Sequence, residues 1–232
     1  MLKTARRPVH DANAAGGEPL GNLPEWDLRD LYSAPDAPEL KRDIAWLQGE
    51  CAVFAKDYEG KLASLSADLM LVCIRRNEKI SAITGRIMSF AGLRYYQNTM
   101  DAERTKFLSD CQEQITRFTT PLVFFSLEFN RIEDAAYEAL FSADAGIARY
   151  KPVFDRMRAM RPYQLSDELE KFLHDQSTVG AAAWNKLFDE TMAGLTFPVE
   201  GKPESLNLEA TLDLLSDTDR PTREAGAKAL AK

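Results

Sequence analysis

The sequence predicts an all-α protein, an irregular bundle of long antiparallel helices with one short β-hairpin near the C-terminus. Apolar residues recur every three or four positions over most of the chain, which is the period of an amphipathic helix. The alternation typical of a strand is convincing in one place, where residues 195–199 and 205–208 flank Glu200-Gly201-Lys202-Pro203. A composition of 45% hydrophobic and 28% charged residues is that of a globular protein with a buried core.

The first predicted helix begins after Asp36-Ala37-Pro38 and ends at Gly60. Burying one large apolar side chain contributes roughly 1.5 to 3 kcal/mol, whereas an exposed ion pair contributes about 0.3 to 0.5 kcal/mol, so its apolar seam has to pack on other helices. We interpret Trp46, outside the seam, as a partly exposed aromatic beside the core, with a second contact surface as the alternative. The seam residues follow four- and three-residue steps: Leu40, Ile44, Leu47, Cys51, Phe54 and Tyr58.

A long second helix is predicted from Ser66 to about Tyr96, and a third helix follows a turn at Asn98–Asp101, capped by Asp101 or Thr99. The two helices should form an antiparallel hairpin. Pro121 lies inside the apolar pattern of the third helix and removes a backbone hydrogen bond, so we expect a kink or a restart there.

Two further features of these helices have alternative interpretations. Gly85 and Gly92 lie within the second helix, where we expect them to permit close helix packing rather than to form a phosphate loop. The aromatic stripe that follows is interpreted as core. The alternative is a peptide groove lined by Phe118, Phe124 or Phe125.

Helical patterns continue to the end of the chain. They span Glu133–Phe141 and about Ala143–Met160, break at Arg161-Pro162, and restart at Ser166. Residues 177–180 are a candidate division between two helices. After the hairpin, a short helix over 208–215 and a last helix opened by Asp219 and Pro221 are predicted. The last helix reaches Lys232 without a stop signal, so we expect the chain to end inside an element. The apolar face after Ser166 contains Leu169, Phe172, Leu173, Ala183, Trp184, Leu187 and Phe188.

Charge and cysteine content exclude several classes of function. The net charge of -7 repels nucleic-acid phosphates and anionic lipid headgroups, so neither nucleic acid nor membrane is an expected partner. The longest uncharged apolar run, Leu69–Ile74, is far shorter than the about 20 residues of a membrane-spanning helix. Cys51, Cys73 and Cys111 are odd in number and form no C-x-x-C pair, so we predict neither disulfides nor a cysteine zinc site. A reducing, cytoplasmic setting fits this pattern.

The residues capable of chemistry have structural interpretations as well. Asp167, Glu170 and His174 are spaced to bridge a surface metal, but we interpret them as a solvated helix face, because such pairs are abundant on acidic helices. A di-iron site is excluded, because Lys171 stands three residues before His174. We interpret the three cysteines as core residues rather than nucleophiles. The charged cluster Asp213, Asp217, Asp219 and Arg220 is interpreted as helix capping rather than a metal loop.

One long stretch and three shorter blocks carry a family resemblance. The long stretch is Arg161–Phe197, RPYQLSDELEKFLHDQSTVGAAAWNKLFDETMAGLTF. The shorter blocks are Trp26-Asp27-Leu28 with Asp30-Leu31-Tyr32, Lys79-Ile80 with Arg86-Ile87, and Leu122–Glu128 (LVFFSLE). Together they resemble the M3 zinc oligopeptidases of the oligoendopeptidase F type, from roughly Leu23 to the last residue. Tyr163 departs from that pattern, since many relatives have His at this position.

The resemblance and the local patterns predict three regions. Residues 1–22 are expected to be a disordered tail, and His10 belongs to it as a solvated residue. Residues 23–195 are expected to form the N-terminal helical domain. Residues 196–232 are expected to form the hairpin and the start of a following, truncated helical region.

The resemblance implies the N-terminal substrate-channel and gating part of a zinc-dependent oligoendopeptidase that hydrolyses short peptides. Those enzymes hold zinc with a His-Glu-x-x-His helix and a downstream Glu, but His10 and His174 are the two histidines here and each precedes Asp. We therefore assign no catalytic, cofactor-binding or metal residue to this chain and expect it alone to be inactive. Zinc is implied for the full-length parent, and the implied partners are the missing C-terminal catalytic domain and short peptides. The alternative is a stand-alone, non-catalytic helical module that binds peptides or proteins.

Overall fold

The structure, a computed structural model, describes residues 26–231. The predicted tail, 1–22, and His10 lie outside the described residues. Helix α1 spans Pro38–Tyr58, with proline at its first position, and Gly60 follows its end with a positive φ of 79°. The predicted seam is confirmed, because Leu40, Leu47, Cys51 and Phe54 are buried. Trp46 is partly buried beside the core, with the Lys79 ammonium 4.7 Å above its ring, as the favoured interpretation expected.

Helices α2, Ala67–Gln97, and α3, Ala102–Thr119, confirm the predicted hairpin. Ser66 caps α2 by accepting a hydrogen bond from the Leu69 amide, and Asp101 caps α3 by accepting from the amides of Glu103 and Arg104 at 2.9 and 3.2 Å. The short connection between α2 and α3 leaves them packed on each other in opposite directions.

The predicted role of the α2 glycines is wrong. A Cβ atom added to Gly85 or Gly92 would meet nothing within 4 Å, so neither glycine allows a close helix contact. The helical period places a residue on a face, but it does not show whether another helix lies against that face.

The break at Pro121 is confirmed as a restart. A 3₁₀ turn at Thr120–Leu122 separates α3 from α4, Phe124–Arg131. Helix α4 is tied to the end of α1 by Glu128, whose carboxylate accepts from the Gly60 amide at 2.6 Å and from the Leu62 amide at 3.5 Å. The long-range bond fixes the turn that joins α1 to α2.

Residues 134–163 are more broken than the sequence predicted. Helix α5 spans Asp134–Ser142, and the single helical pattern over 143–160 divides into α6, Ala145–Ala148, and α7, Lys151–Arg158. The division has a physical cause, since the proline in the first turn of α7 has no amide hydrogen for a continuing helix. A 3₁₀ turn at Arg161–Tyr163 then ends this part of the chain.

The remaining residues form two helices and a small hairpin unit. Helix α8 spans Asp167–Gln176 and α9 spans Ala181–Gly194, which confirms their division at 177–180. Strands β1, Thr196–Phe197, and β2, Leu206–Asn207, pair antiparallel with Phe197 opposite Leu206. Helices α10, Leu208–Asp213, and α11, Arg220–Leu230, follow. The hairpin is shorter than its sequence pattern.

The core lies almost wholly before residue 158. It joins α1, α2, α3 and the aromatic cluster of Phe125, Phe129, Phe141 and Phe154, in which Phe129 and Phe154 stack with centroids 4.1 Å apart. Among the described residues after 157, four are buried, and all four are small or medium-sized: Val199, Thr211, Gly226 and Ala229. We call residues 26–158 the body.

Candidate functional site

Helix α8 has its apolar side in solvent. Its four least exposed positions are Asp167, Glu170, Lys171 and His174, which are all polar. Its large apolar residues are exposed, with 51% of Leu169, 57% of Phe172 and 51% of Leu173 accessible. At 3.6 residues per turn these two sets lie about half a turn apart, so the polar side faces the body and the apolar side faces away. This is the inverse of an ordinary surface helix.

Polar contacts hold α8 on the body. The Arg131 guanidinium donates to both carboxylate oxygens of Asp167, and the Lys171 ammonium lies 3.1 Å from a carboxylate oxygen of Glu59. One turn later His174 Nε2 lies 3.0 Å from the Thr119 hydroxyl. The hydroxyl of the neighbouring Thr120 donates to the Asp175 carboxylate. Hydrogen bonding to Arg131 holds the pKa of Asp167 below its ordinary value.

Helix α9 repeats the inversion. Trp184, Leu187 and Phe188 are 70%, 52% and 62% exposed, while Lys186 and Asp189 are partly covered. The Lys186 ammonium donates to the Ser109 hydroxyl at 3.1 Å. Burial, with a smaller contribution from the nearby carboxylates of Asp189 and Glu190, raises the pKa of Tyr95.

Together α8 and α9 follow α3 in the opposite direction. His174 contacts Thr119 at the end of α3, Lys186 contacts Ser109 near its middle, and Gly194 lies beside Met100 just before its start. We call the exposed apolar side chains of α8 and α9, together with Leu165 just before α8, the outward face. It comprises Leu165, Leu169, Phe172, Leu173, Trp184, Leu187 and Phe188.

The outward face is the candidate functional site, because such exposure is costly. Burying one of these side chains contributes roughly 1.5 to 3 kcal/mol, and the face forgoes that stabilisation while it lies in water. Scattered exposed apolar residues need no explanation, but a row along two successive helices is typical of an interaction site.

The sequence analysis recognised the apolar residues of this face but not their exposure. Periodicity shows that a helix has two sides and leaves open which side meets a neighbour. The expectation that Asp167, Glu170 and His174 form a solvated face is wrong, because these residues line the side that meets the body.

These three residues do not fit a metal either. The Asp167 carboxylate already accepts hydrogen bonds from the Arg131 guanidinium. The Glu170 carboxylate accepts from the Leu165 amide at 3.0 Å, and His174 contacts the Thr119 hydroxyl. No group of three or more metal-ligating side chains converges anywhere in residues 26–231. The zinc implied by the family resemblance therefore has no matching ligand set in the described part of the chain.

The three cysteines are structural residues of the core. Cys51, Cys73 and Cys111 are free and buried, and desolvation raises the pKa of their thiols to about 11, 12 and 11. Their interpretation as core residues is confirmed.

The groove interpretation of Phe118, Phe124 and Phe125 is wrong, because all three are buried in the core. The capping interpretation holds for Asp219, which accepts from the Thr222 amide at 3.0 Å, and Asp217 accepts from the Asp219 amide at 2.8 Å. Tyr163, the departure from the family pattern, is exposed.

No helix within residues 26–231 combines the length and the apolar character needed to cross a lipid bilayer.

Comparison with known proteins shows which family this chain resembles. Residues 128–197, which include α8 and α9, match the family model described as oligopeptidase F, the N-terminal part of the M3 peptidases. The chain is 22% identical over 216 residues to the group B oligopeptidase PepB of Streptococcus agalactiae, a match that covers 89% of this chain. It is also 22% identical over 209 residues to the plasmid oligoendopeptidase F of Lactococcus lactis.

The fold agrees with these matches. The crystal structure of oligoendopeptidase-F from Enterococcus faecium superposes with a TM-score of 0.73, at 22% identity, over 85% of this chain and 38% of that one. The chain spans 34% of the length of the curated relatives it matches. The family model, the relatives and the shared fold agree that this chain resembles the N-terminal region of the oligoendopeptidase F-type M3 peptidases.

Proposed function

We propose that this chain is the substrate-channel and gating part of a zinc-dependent oligoendopeptidase that hydrolyses short peptides. One observation carries the proposal: relatives named as oligopeptidases match 88 to 89% of this chain, while the chain spans 34% of their length. In this proposal the groups that bind zinc and attack the peptide bond belong to a catalytic domain outside residues 1–232.

The chemistry of the described residues supports this division of labour. The thiols are buried and protonated near neutral pH, and the polar residues of α8 are engaged with the body. The body supplies a rigid wall, because its aromatic rings interlock around Phe129. The three unpaired thiols also support a cytoplasmic location.

The gating role draws support from the way α8 is held. Its contacts with the body are ion pairs and hydroxyl hydrogen bonds, each worth little when exposed to water. Such a boundary can shift at small cost, whereas the interlocked aromatic core of the body cannot.

A chimera tests the proposal. This chain replaces the region that it matches in the Enterococcus faecium oligoendopeptidase-F, and cleavage of a quenched fluorescent peptide is measured beside cleavage of a folded protein. We expect the chimera to cleave the short peptide in a chelator-sensitive reaction and to leave the folded protein intact. The isolated chain, with or without added zinc, should cleave neither.

Two results would contradict the proposal. One is chelator-sensitive peptide cleavage by the isolated 232-residue chain. The other is a chimera that is folded by circular dichroism and yet leaves short peptides uncut. The unmodified Enterococcus faecium enzyme, assayed under the same conditions, is the positive control.

A further inference from the structure

We infer that the outward face of α8 and α9 is the docking surface for the remaining part of an oligoendopeptidase F-like polypeptide. This inference rests on the proposed function and names the partner surface that it requires. Its one occupant is a folded protein domain that presents an apolar patch.

The first argument is the inversion of the two helices. A helix that belonged only to the body would turn Phe172 and Trp184 toward α3 and leave Lys171 and Lys186 in water. In both helices the apolar side chains are exposed instead. The polar side makes specific contacts with the body, among them the hydrogen bond from Arg131 to Asp167. This arrangement attaches both helices to the body by their polar sides and leaves their apolar sides available to a partner.

The second argument is the nature of the exposed side chains. Phe172, Trp184 and Phe188 are large exposed aromatics, and aromatic residues are enriched in the central, desolvated part of protein interfaces. Tryptophan is in addition among the residue types that most often carry the binding energy.

The third argument is charge, which selects among possible occupants. The chain carries a net charge of -7, so a second copy would bring like net charges together. An anionic membrane would be repelled for the same reason. A domain of opposite net charge would not be.

The fourth argument is the size of the relatives. The chain spans 34% of the curated relatives, so about two thirds of such a polypeptide lies beyond the region shared with this chain. A partner of that size has surface enough to cover α8 and α9, and specific interfaces bury about 800 Å² on each side.

Binding in solution tests the inference directly. The probe is the part of the Enterococcus faecium oligoendopeptidase-F outside the region that this chain matches, shown by circular dichroism to be folded. Trp26 and Trp46 are replaced by phenylalanine, so that Trp184 is the one fluorophore of its type on the chain. We expect its emission to shift to the blue when the probe binds.

Variants of the face locate the contact. Replacement of Phe172 or Phe188 by alanine should weaken binding by about 30-fold or more, the range of interface hot spots. Val153→Ala is the matched control, because Val153 is 63% exposed on α7, outside the face, and its loss should leave affinity unchanged. The intact Enterococcus faecium enzyme, which already has its own N-terminal region, should not bind.

Four results would overturn the inference. They are no binding by the folded probe, equal affinity of wild type and face variants, a dimer of this chain that the Phe188 variant abolishes, and binding of a free cationic peptide to the face in preference to the probe. Hydrolysis measured in the same mixture separates the two proposals. A bound but inactive pair contradicts the proposed function alone.

A second measurement applies if the probe does not fold by itself. Phe188→Cys introduces a thiol on the face, while the native thiols are buried. In the isolated chain it should react rapidly with maleimide, and in the chimera described above its reaction should slow at least about 10-fold, as burial of a thiol requires. Equal rates in the two proteins would overturn the inference.

Discussion

The body and the pair α8–α9 use the same kinds of residue in opposite ways. In the body, Phe129 is fully buried and stacks on Phe154, and the charged residues lie outside. In α8 and α9, Phe172 and Phe188 lie in water, and Lys171 and Lys186 face inward. Amphipathic sequence therefore produces two outcomes within one chain, a closed core and an open interface. The neighbours available to each helix decide between them.

The largest expected effect comes from a matched pair of phenylalanine substitutions. Phe129→Ala should lower the free energy of unfolding by about 3 to 5 kcal/mol, because it leaves a cavity in the aromatic cluster. Phe188→Ala removes an exposed ring and should change the same quantity by less than about 0.5 kcal/mol. Urea denaturation followed by circular dichroism measures both. Equal losses would break the comparison between the body and the inverted helices.

Alanine substitutions at two glycines should change stability by intermediate amounts and in opposite directions. A Cβ on Gly226 in α11 would lie 2.9 Å from Leu214 Cβ and 3.3 Å from the Thr211 carbonyl oxygen, so Gly226→Ala should destabilise the hairpin unit by about 1 to 3 kcal/mol. Gly92 in α2 faces open space, and Gly92→Ala should stabilise the body by about 0.5 to 1 kcal/mol. Thermal unfolding compares them, and a destabilised Gly92 variant would contradict the open geometry at that position.

The attachment of α8 should respond to acid. Because the pKa of Asp167 is lowered in the folded protein by its hydrogen bonds to Arg131, this contact stabilises α8 fully above the unfolded pKa of about 3.9. The stabilisation is lost as the pH falls through the lower, folded value. Carbon-detected NMR follows the Asp167 carboxyl, and Arg131→Met should raise its pKa toward the ordinary value. An unchanged titration in that variant would mean that the ion pair does not hold α8.

The smallest expected signal is the reactivity of the native thiols. With pKa values raised to about 11 and 12 by burial, Cys51, Cys73 and Cys111 should not react with iodoacetamide at pH 8 over an hour. In urea all three should react within minutes. Rapid labelling of the native protein would show that the body opens far more readily than its core indicates.

Much of the body could be predicted from the sequence, because local signals and packing agree there. The four- and three-residue spacing of the α1 seam, the Asp101 cap and the restart at Pro121 all appear in the structure. The division of α6 from α7 was missed, although Pro152 was a usable signal for it.

The candidate site was harder to predict, and the reason is physical. The apolar residues of α8 and α9 look like core residues in the sequence, since hydrophobic periodicity is the same for a face that meets the body and one that meets a partner. The ion pair between Asp167 and Arg131 would have shown which side of α8 meets the body, but Arg131 lies 36 residues earlier in the chain. The pair is therefore visible in the structure and not in the sequence.

Amide hydrogen exchange followed by mass spectrometry tests the central claim most directly, comparing the isolated chain with the chimera. In the isolated chain, peptides from α8 and α9 should exchange much faster than those from α2, because no residue of either helix is buried. In the chimera the protection of α8 and α9 should rise, while that of α2 stays as it was. Equal exchange of α8 and α9 in the two proteins would contradict the claim that their outward face is an interface.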